Sequence, residues 1–118
     1  MSVSRGDMVL VYAPFVTHRG GKTRPMLVVQ NDRNNQRMQN TIVATITSNV
    51  RRAAEPTQVL VDVATPDGRQ TGLLATSVVS AENLLTVRQA HVRKTIGRLP
   101  AGLMRQVDDA LKASLALP

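Results

Sequence analysis

The stretch GGKTRPMLVVQND, residues 20–32, runs from two glycines and Lys22 through Arg24-Pro25 into an apolar segment, then out into Gln30-Asn31-Asp32. Glycine lets a backbone approach a partner closely, and a guanidinium holds an anion in a planar fork of donors. The apolar residues that follow have the composition of a buried strand. An arginine set between the two reads as an anion site at the threshold of a sheet.

Outward from this segment the same grammar repeats. MVLVYA (8–13), MLVVQ (26–30), TIVATITS (41–48), QVLVDV (58–63) and LLATSVVS (73–80) are short and rich in β-branched residues. Turn formers separate them at Gly20-Gly21, Asn34-Asn35, Glu55-Pro56 and TPDGR (65–69). They predict about five strands, with TPDGR as a hairpin because Asp and Gly tolerate the backbone angles of a tight turn. Residues 31–40 read either as one helical turn capped by Asp32 or as a long polar loop. LTVRQAHVRK (85–94) reads as a second short helix. Over 99–117 the period changes: Leu103, Val107, Ala110, Leu111, Ser114 and Leu115 recur at helical spacing, with Pro100 suited to the first turn. The expected class is α+β, mainly β: one domain over 1–118, with a strongly bent antiparallel sheet and a closing helix. An SH3-like small barrel of about five to seven strands has this layout.

The chain has 118 residues, 42% of them hydrophobic, enough for one core. Fifteen Lys and Arg against eight Asp and Glu give a formal charge of +7, which favours a polyanionic partner such as nucleic acid. Cysteine is absent, so disulfides and thiolate chemistry are excluded and a reducing cytoplasm is the expected setting. No run approaches a membrane span of roughly 20 apolar residues. His18 and His91 lie far apart, and the adjacent Asp108 and Asp109 diverge on a helix, so no metal or other cofactor is expected. Tyr12 and Phe15 are the only aromatic residues, too few for a base-stacking platform.

SRGDMVLV, RPMLVVQNDRNN, TIVATITS, TSVVSAENLLTV and IGRLPAGLMRQVDDALKASLAL, in that order, resemble the MazF/PemK family of toxin endoribonucleases, from about Ser4 to Leu117. The resemblance implies a homodimeric SH3-like barrel that cuts single-stranded RNA without a metal. It also implies an antitoxin whose acidic, flexible tail occupies the RNA groove. By resemblance Arg24 falls on the family's catalytic arginine and Thr47 on its catalytic threonine. Without it, Arg24 reads first as a surface charge neutralising Asp32 or Asp7, and Thr47 as an ordinary strand residue.

The chemistry suits this assignment. RNA carries its own nucleophile, the 2′-hydroxyl, so cleavage needs a base, charge stabilisation on the phosphorus oxygens, and a proton for the leaving 5′-oxygen. An imidazole can serve as acid or base near neutrality, and His18 matches a loop histidine of some relatives; it is either acid/base or a solvated loop residue. Glu82 matches an acidic position of the family and is either a general base or an ion-pair partner of Arg88. Arg19, Lys22, Arg33, Arg37, Arg51 and Arg52 are candidate phosphate contacts or plain solubilising charges. Gln30, Asn31 and Asn35 either read base edges or cap the next turn, with capping favoured for Asn31 and Asp32. Two departures stand out: Thr17-His18-Arg19-Gly20 puts a cation where relatives carry an acid, and Leu85 replaces an arginine. A dimer interface is expected around Leu84, Leu85 and Val87. The rival reading is a non-enzymatic toxin of the same barrel fold acting on a protein such as DNA gyrase, because fold does not fix function. An inactive RNA-binding barrel is a third.

Overall fold

The computed structural model describes residues 2–13 and 22–118. Six strands are joined by antiparallel pairing: β1 (Asp7–Ala13), β2 (Lys22–Val28), β3 (Asn40–Thr47), β4 (Gln58–Val61), β5 (Ser77–Arg88) and β6 (Val92–Arg98). Their spatial order is β4-β5-β3-β2-β1-β6, so β4 and β6 are edges and the sheet is not closed. Helices α1 (Asp32–Arg37), α2 (Pro66–Arg69) and α3 (Ala101–Leu115) complete an α+β fold. Among the described residues, no helix is long and apolar enough to cross a membrane.

Alternation along the strands feeds two cores. Met8, Leu27, Ala44, Val59, Val61, Val79 and Ala81 point to one face, where Val107 and Ala110 of α3 cover them. Val9, Val11, Met26, Val28, Val43 and Val87 point to the other, together with Val3, and no described helix lies over them. Since Val9, Val11, Val28 and Val43 are fully buried there, the sheet curls so that this face packs largely on itself.

Local chemistry accounts for where the elements depart from expectation. β2 begins at Lys22, so Arg24 lies in a strand paired to Val11 of β1 rather than in the loop before it. TPDGR does not turn a hairpin. Thr65 caps α2 by accepting from the Gly68 N–H at 3.0 Å, and Pro66 takes the first helical turn, where its missing N–H costs nothing. Gly68 is required there, because a Cβ would sit 1.8 Å from the Asp62 carbonyl oxygen. Residues 85–94 are not a helix: β5 continues to Arg88, a 3₁₀ turn spans Gln89–His91, and β6 follows. Val87 is buried, and Leu84 and Leu85 are half-buried against the two cores.

A polar corner joins α1 to the sheet. Asn31, rather than Asp32, caps α1, accepting from the Asn34 N–H at 2.8 Å. Buried Asn35 accepts from Gln30 Nε2 at 2.9 Å and Thr41 Oγ1 at 2.7 Å, and donates to the Gln30 carbonyl at 3.0 Å and Asp32 Oδ1 at 3.3 Å. Both lone-pair sites and both amide hydrogens are thereby filled. Gln30 is also buried and donates to the Asn40 carbonyl at 3.0 Å. Gln30 and Asn35 therefore hold the corner together instead of meeting base edges. Asn35→Ala leaves the Gln30 and Thr41 donors unmet and is expected to cost about 1–3 kcal/mol in urea unfolding.

Candidate active site

The second face changes character along its strands. At one end it is Val28, Val43 and Val87; at the other the ladders bring Met26 against Thr45, Thr45 against Ser80 and Ser80 against Gln58. The β2–β3 ladder ends at Met26–Thr45. Two residues farther along, and so on the same face, stand Arg24 and Thr47. They share one end of the β2–β3 pair, both exposed.

Beside them is a polar pocket of about 180 Å³ lined by Thr45, Thr47, Asn49, Arg51, Arg52, Gln58, Ser80 and Asn83. Thr47 Oγ1 accepts from the Asn49 N–H at 3.1 Å, which fixes the hydroxyl while leaving its own hydrogen to donate. Asn49 Oδ1 in turn accepts from the Arg51 N–H at 3.1 Å. Asn83 donates to Ser80 Oγ at 3.2 Å across the pocket floor. The β5 side is shaped by a bulge: Ala44 pairs with Leu84 but Thr45 with Ser80, so Ala81, Glu82 and Asn83 have no partner on β3. Such insertions re-aim side chains beside functional sites.

The charged groups divide into engaged and free. Arg52 Nη2 lies 2.5 Å from Glu82 Oε1, and Arg52 also pairs with Glu55. Thr57 Oγ1 donates to Glu82 Oε1 at 2.6 Å. These donors, led by Arg52, pull the Glu82 carboxyl down to about 2 and hold Glu55 below the usual carboxylate range. Glu82 thus pairs with Arg52, not with Arg88. Asp7 pairs with Arg98 at 2.9 Å and Asp108 with Arg5 at 2.6 Å, while Asp32 accepts the Arg5 N–H at 2.6 Å. Neither Asp7 nor Asp32 is taken by Arg24. Among the described residues, Arg24, Arg51, Lys22 and Arg33 enter no ion pair; Arg37 donates to Asn34 Oδ1 at 3.0 Å.

Thr45, Asn49, Gln58, Ser80 and Asn83 were not singled out by sequence. For Thr45, Gln58 and Ser80 the only signal is alternation on strands next to Thr47, which acquires meaning once the register is known; Asn49 in the loop and Asn83 in the bulge carry none. Arg33 and Arg37 sit on α1, attached to the opposite end of β3 from Thr47, and do not join this pocket. His18 and Arg19 lie outside the described residues. Among the described residues, no three His, Asp or Glu side chains converge as a metal site would require.

A family model described as the PemK-like, MazF-like toxin of type II toxin-antitoxin systems matches residues 4–115. The endoribonuclease EndoA of Bacillus subtilis (strain 168) is 36% identical over 118 residues, covering 99% of this chain and 97% of its own. Endoribonuclease MazF2 of Mycobacterium bovis is 37% identical over 97 residues, 81% of each chain. The solved structure of Mycobacterium tuberculosis toxin MazF-mt6 matches with a TM-score of 0.76 and 26% identity, over 95% of this chain and 98% of that one. An endoribonuclease in complex with its cognate antitoxin, from a mycobacterial species, matches with a TM-score of 0.81 over 99% of this chain and 98% of that one. At 22% identity, this second likeness is one of fold. By the extent of the family match and of the EndoA alignment, the chain belongs to the PemK-like, MazF-like toxins of type II toxin-antitoxin systems.

Proposed function

We propose that this chain is the RNA-cleaving toxin of a toxin-antitoxin pair: a sequence-selective, metal-independent endoribonuclease that cuts single-stranded messenger RNA in the cytoplasm and arrests translation. It acts as a homodimer and is held in check by an acidic antitoxin. Family membership and the endoribonuclease names of EndoA and MazF2 support the activity. The observation that carries the mechanism is the β2–β3 register, which sets Arg24 and Thr47 at one end and on one face of the sheet.

In the proposed step the RNA's own 2′-oxygen attacks the neighbouring phosphorus. Its proton leaves to a base, the bond to the 5′-oxygen breaks, and that oxygen takes a proton. The products are a 2′,3′-cyclic phosphate and a 5′-hydroxyl. Arg24 grips two phosphorus oxygens as charge builds on them, in a planar geometry that ammonium cannot copy. The Thr47 hydroxyl, oriented by the Asn49 N–H, donates to the same group. Lys22, Arg19 and Arg51 carry the flanking phosphates. Glu82 is a poor base, because a carboxyl held at about 2 has little affinity for a proton near neutrality. Proton transfer is therefore assigned to His18.

Arg24→Ala is expected to lose about 2.7–4 kcal/mol of transition-state stabilisation, by analogy with removing one preorganised oxyanion donor, with Arg24→Lys recovering only part. Cleavage in excess EDTA and end-group mapping of a long RNA check the chemistry. Dependence on a divalent metal, or 5′-phosphate ends, would contradict it; intact RNA would favour a protein target. The pH–rate profile separates the two proton candidates. Glu82 is fully ionised from about pH 4 upward, so it contributes no limb between pH 4 and 8, whereas His18 as base gives a rate rising through neutrality. The expected outcome is that His18→Gln removes that limb and Glu82→Gln leaves it in place.

A further inference from the structure

The loop between β3 and β4, residues 48–57, is almost wholly exposed and carries three of the pocket's lining residues, Asn49, Arg51 and Arg52. From residue 50 to residue 55 its backbone bonds include local turns: Ala53 N–H to the Val50 carbonyl and Glu55 N–H to the Arg52 carbonyl, both 3.0 Å. At its far end the Thr57 carbonyl accepts from the Ala81 N–H of β5 at 2.9 Å, and the stretch before Thr57 is tied to β5 through the Arg52 side chain. Arg52 reaches back to Glu55 within the loop and across to Glu82 on the β5 bulge, donating from Nη1 to Oε2 at 3.0 Å and from Nη2 to Oε1 at 2.5 Å. That is the two-pronged pairing in which arginine is strongest. Thr57 closes the loop's far end on the same carboxylate.

Resting on the endoribonuclease reading above, we infer that Arg52 and Glu82 are a positioning pair: they clamp the 48–57 loop to the β5 bulge and so present Arg51 to the RNA phosphates. One arginine between two carboxylates leaves no net positive charge to displace counterions from RNA. Its neighbour Arg51, with no ion pair among the described residues, keeps that capacity. The two consecutive arginines thus do different jobs: one holds the loop and the other faces the ligand. The same geometry spends the Glu82 carboxylate on Arg52 and Thr57, so it acts through the loop and not on the reacting atoms. Isolated exposed ion pairs contribute little, but a bidentate pair in a network of several charges is the arrangement in which they hold a segment.

Two measurements test this. The first is amide hydrogen exchange of the free protein, which involves no RNA. Arg52→Gln and Glu82→Gln are each expected to speed exchange of the amides from 49 to 57, and the swapped pair Arg52→Glu with Glu82→Arg to restore much of the protection. The second is the salt dependence of binding to a mixed-sequence 2′-O-methyl oligoribonucleotide, which cannot be cleaved. Arg51→Gln is expected to flatten the slope of log K against log salt by about 0.7, the value for one phosphate contact on a single strand. Arg52→Gln is expected to weaken binding a few-fold with the slope unchanged. A slope that falls equally in Arg52→Gln, with loop exchange unaltered, would make Arg52 a direct phosphate contact and overturn the proposal. Unaltered exchange in both clamp variants would overturn it as well. Loop exchange that responds as expected in a protein that binds no RNA would leave the clamp standing, while the presentation of Arg51 falls together with the endoribonuclease reading.

Discussion

Everything in the proposed site depends on the register of β3 between β2 and β5. Both faces of the sheet are buried, one under α3 and one on itself, so each residue of β3 is committed to a side. Slipping the strand by one position would turn Thr45 and Thr47 towards α3 and drive Ala44 and Ile46 onto the polar end of the other face. The cost falls on the cores, far from any ligand, and this keeps the site's parts in place. Met26, Thr45, Ser80 and Gln58 follow one line across four strands as a result. The pocket residues are ordinary strand residues whose position is enforced by valines elsewhere.

Charge is arranged with similar economy. Asp7, Glu55, Glu82 and Asp108 are bound to arginines, so much of the chain's negative charge is spent internally. The cations left without ion pairs among the described residues include Arg51 in the pocket and Arg24 at the neighbouring end of β2. The bulge supplies the remaining piece. By dropping Ala81, Glu82 and Asn83 out of the β3 ladder, it swings a carboxylate outward to meet the loop and places an amide over the pocket floor.

How much of this was legible depended on the range over which each feature is decided. The strands at 8–13, 41–48 and 58–63 and the last helix follow from local patterning to within a residue or two, whereas β2 begins four residues before MLVVQ and the turn after residue 31, left open between helix and loop, is a helix capped by Asn31. TPDGR was misread because its residues serve a hairpin and a capped helical turn equally well, and only the packing of Gly68 on Asp62 chooses. Residues 85–94 were misread because Leu85, Val87 and Val92 fit a short helix as well as two strands around a 3₁₀ turn, and the ladder to β3 decides. Gln30 and Asn35 look like surface amides in the sequence, yet they are buried partners of Thr41 and Asn40, which become neighbours only when β3 pairs. The match of Arg24 and Thr47 to a family could be seen in one dimension. Their sharing of one face could not, nor could the pairing of Glu82 with Arg52 across 30 positions.

The Arg24-Pro25 dipeptide explains why an arginine stands where the strand opens. A residue before proline is pushed away from helical backbone towards extended conformations, so Pro25 holds Arg24 in a strand geometry. On one side the backbone stays paired: the β1 ladder runs from Met8–Leu27 through Leu10–Pro25 to Ala13–Lys22. On the other side the β3 ladder stops at Met26, one residue short of the proline, which has no N–H to continue it. The dipeptide therefore fixes one edge of β2 and releases the other. β3 continues to Thr47 past the release point, so the ends of the two strands separate with Arg24 on one and Thr47 on the other. A guanidinium carried on a flexible loop would have to be ordered each time it gripped a phosphate. Carried on a strand locked to β1 and unzipped from β3, its backbone is ordered beforehand, and preorganisation of this kind is what charge stabilisation in a transition state requires.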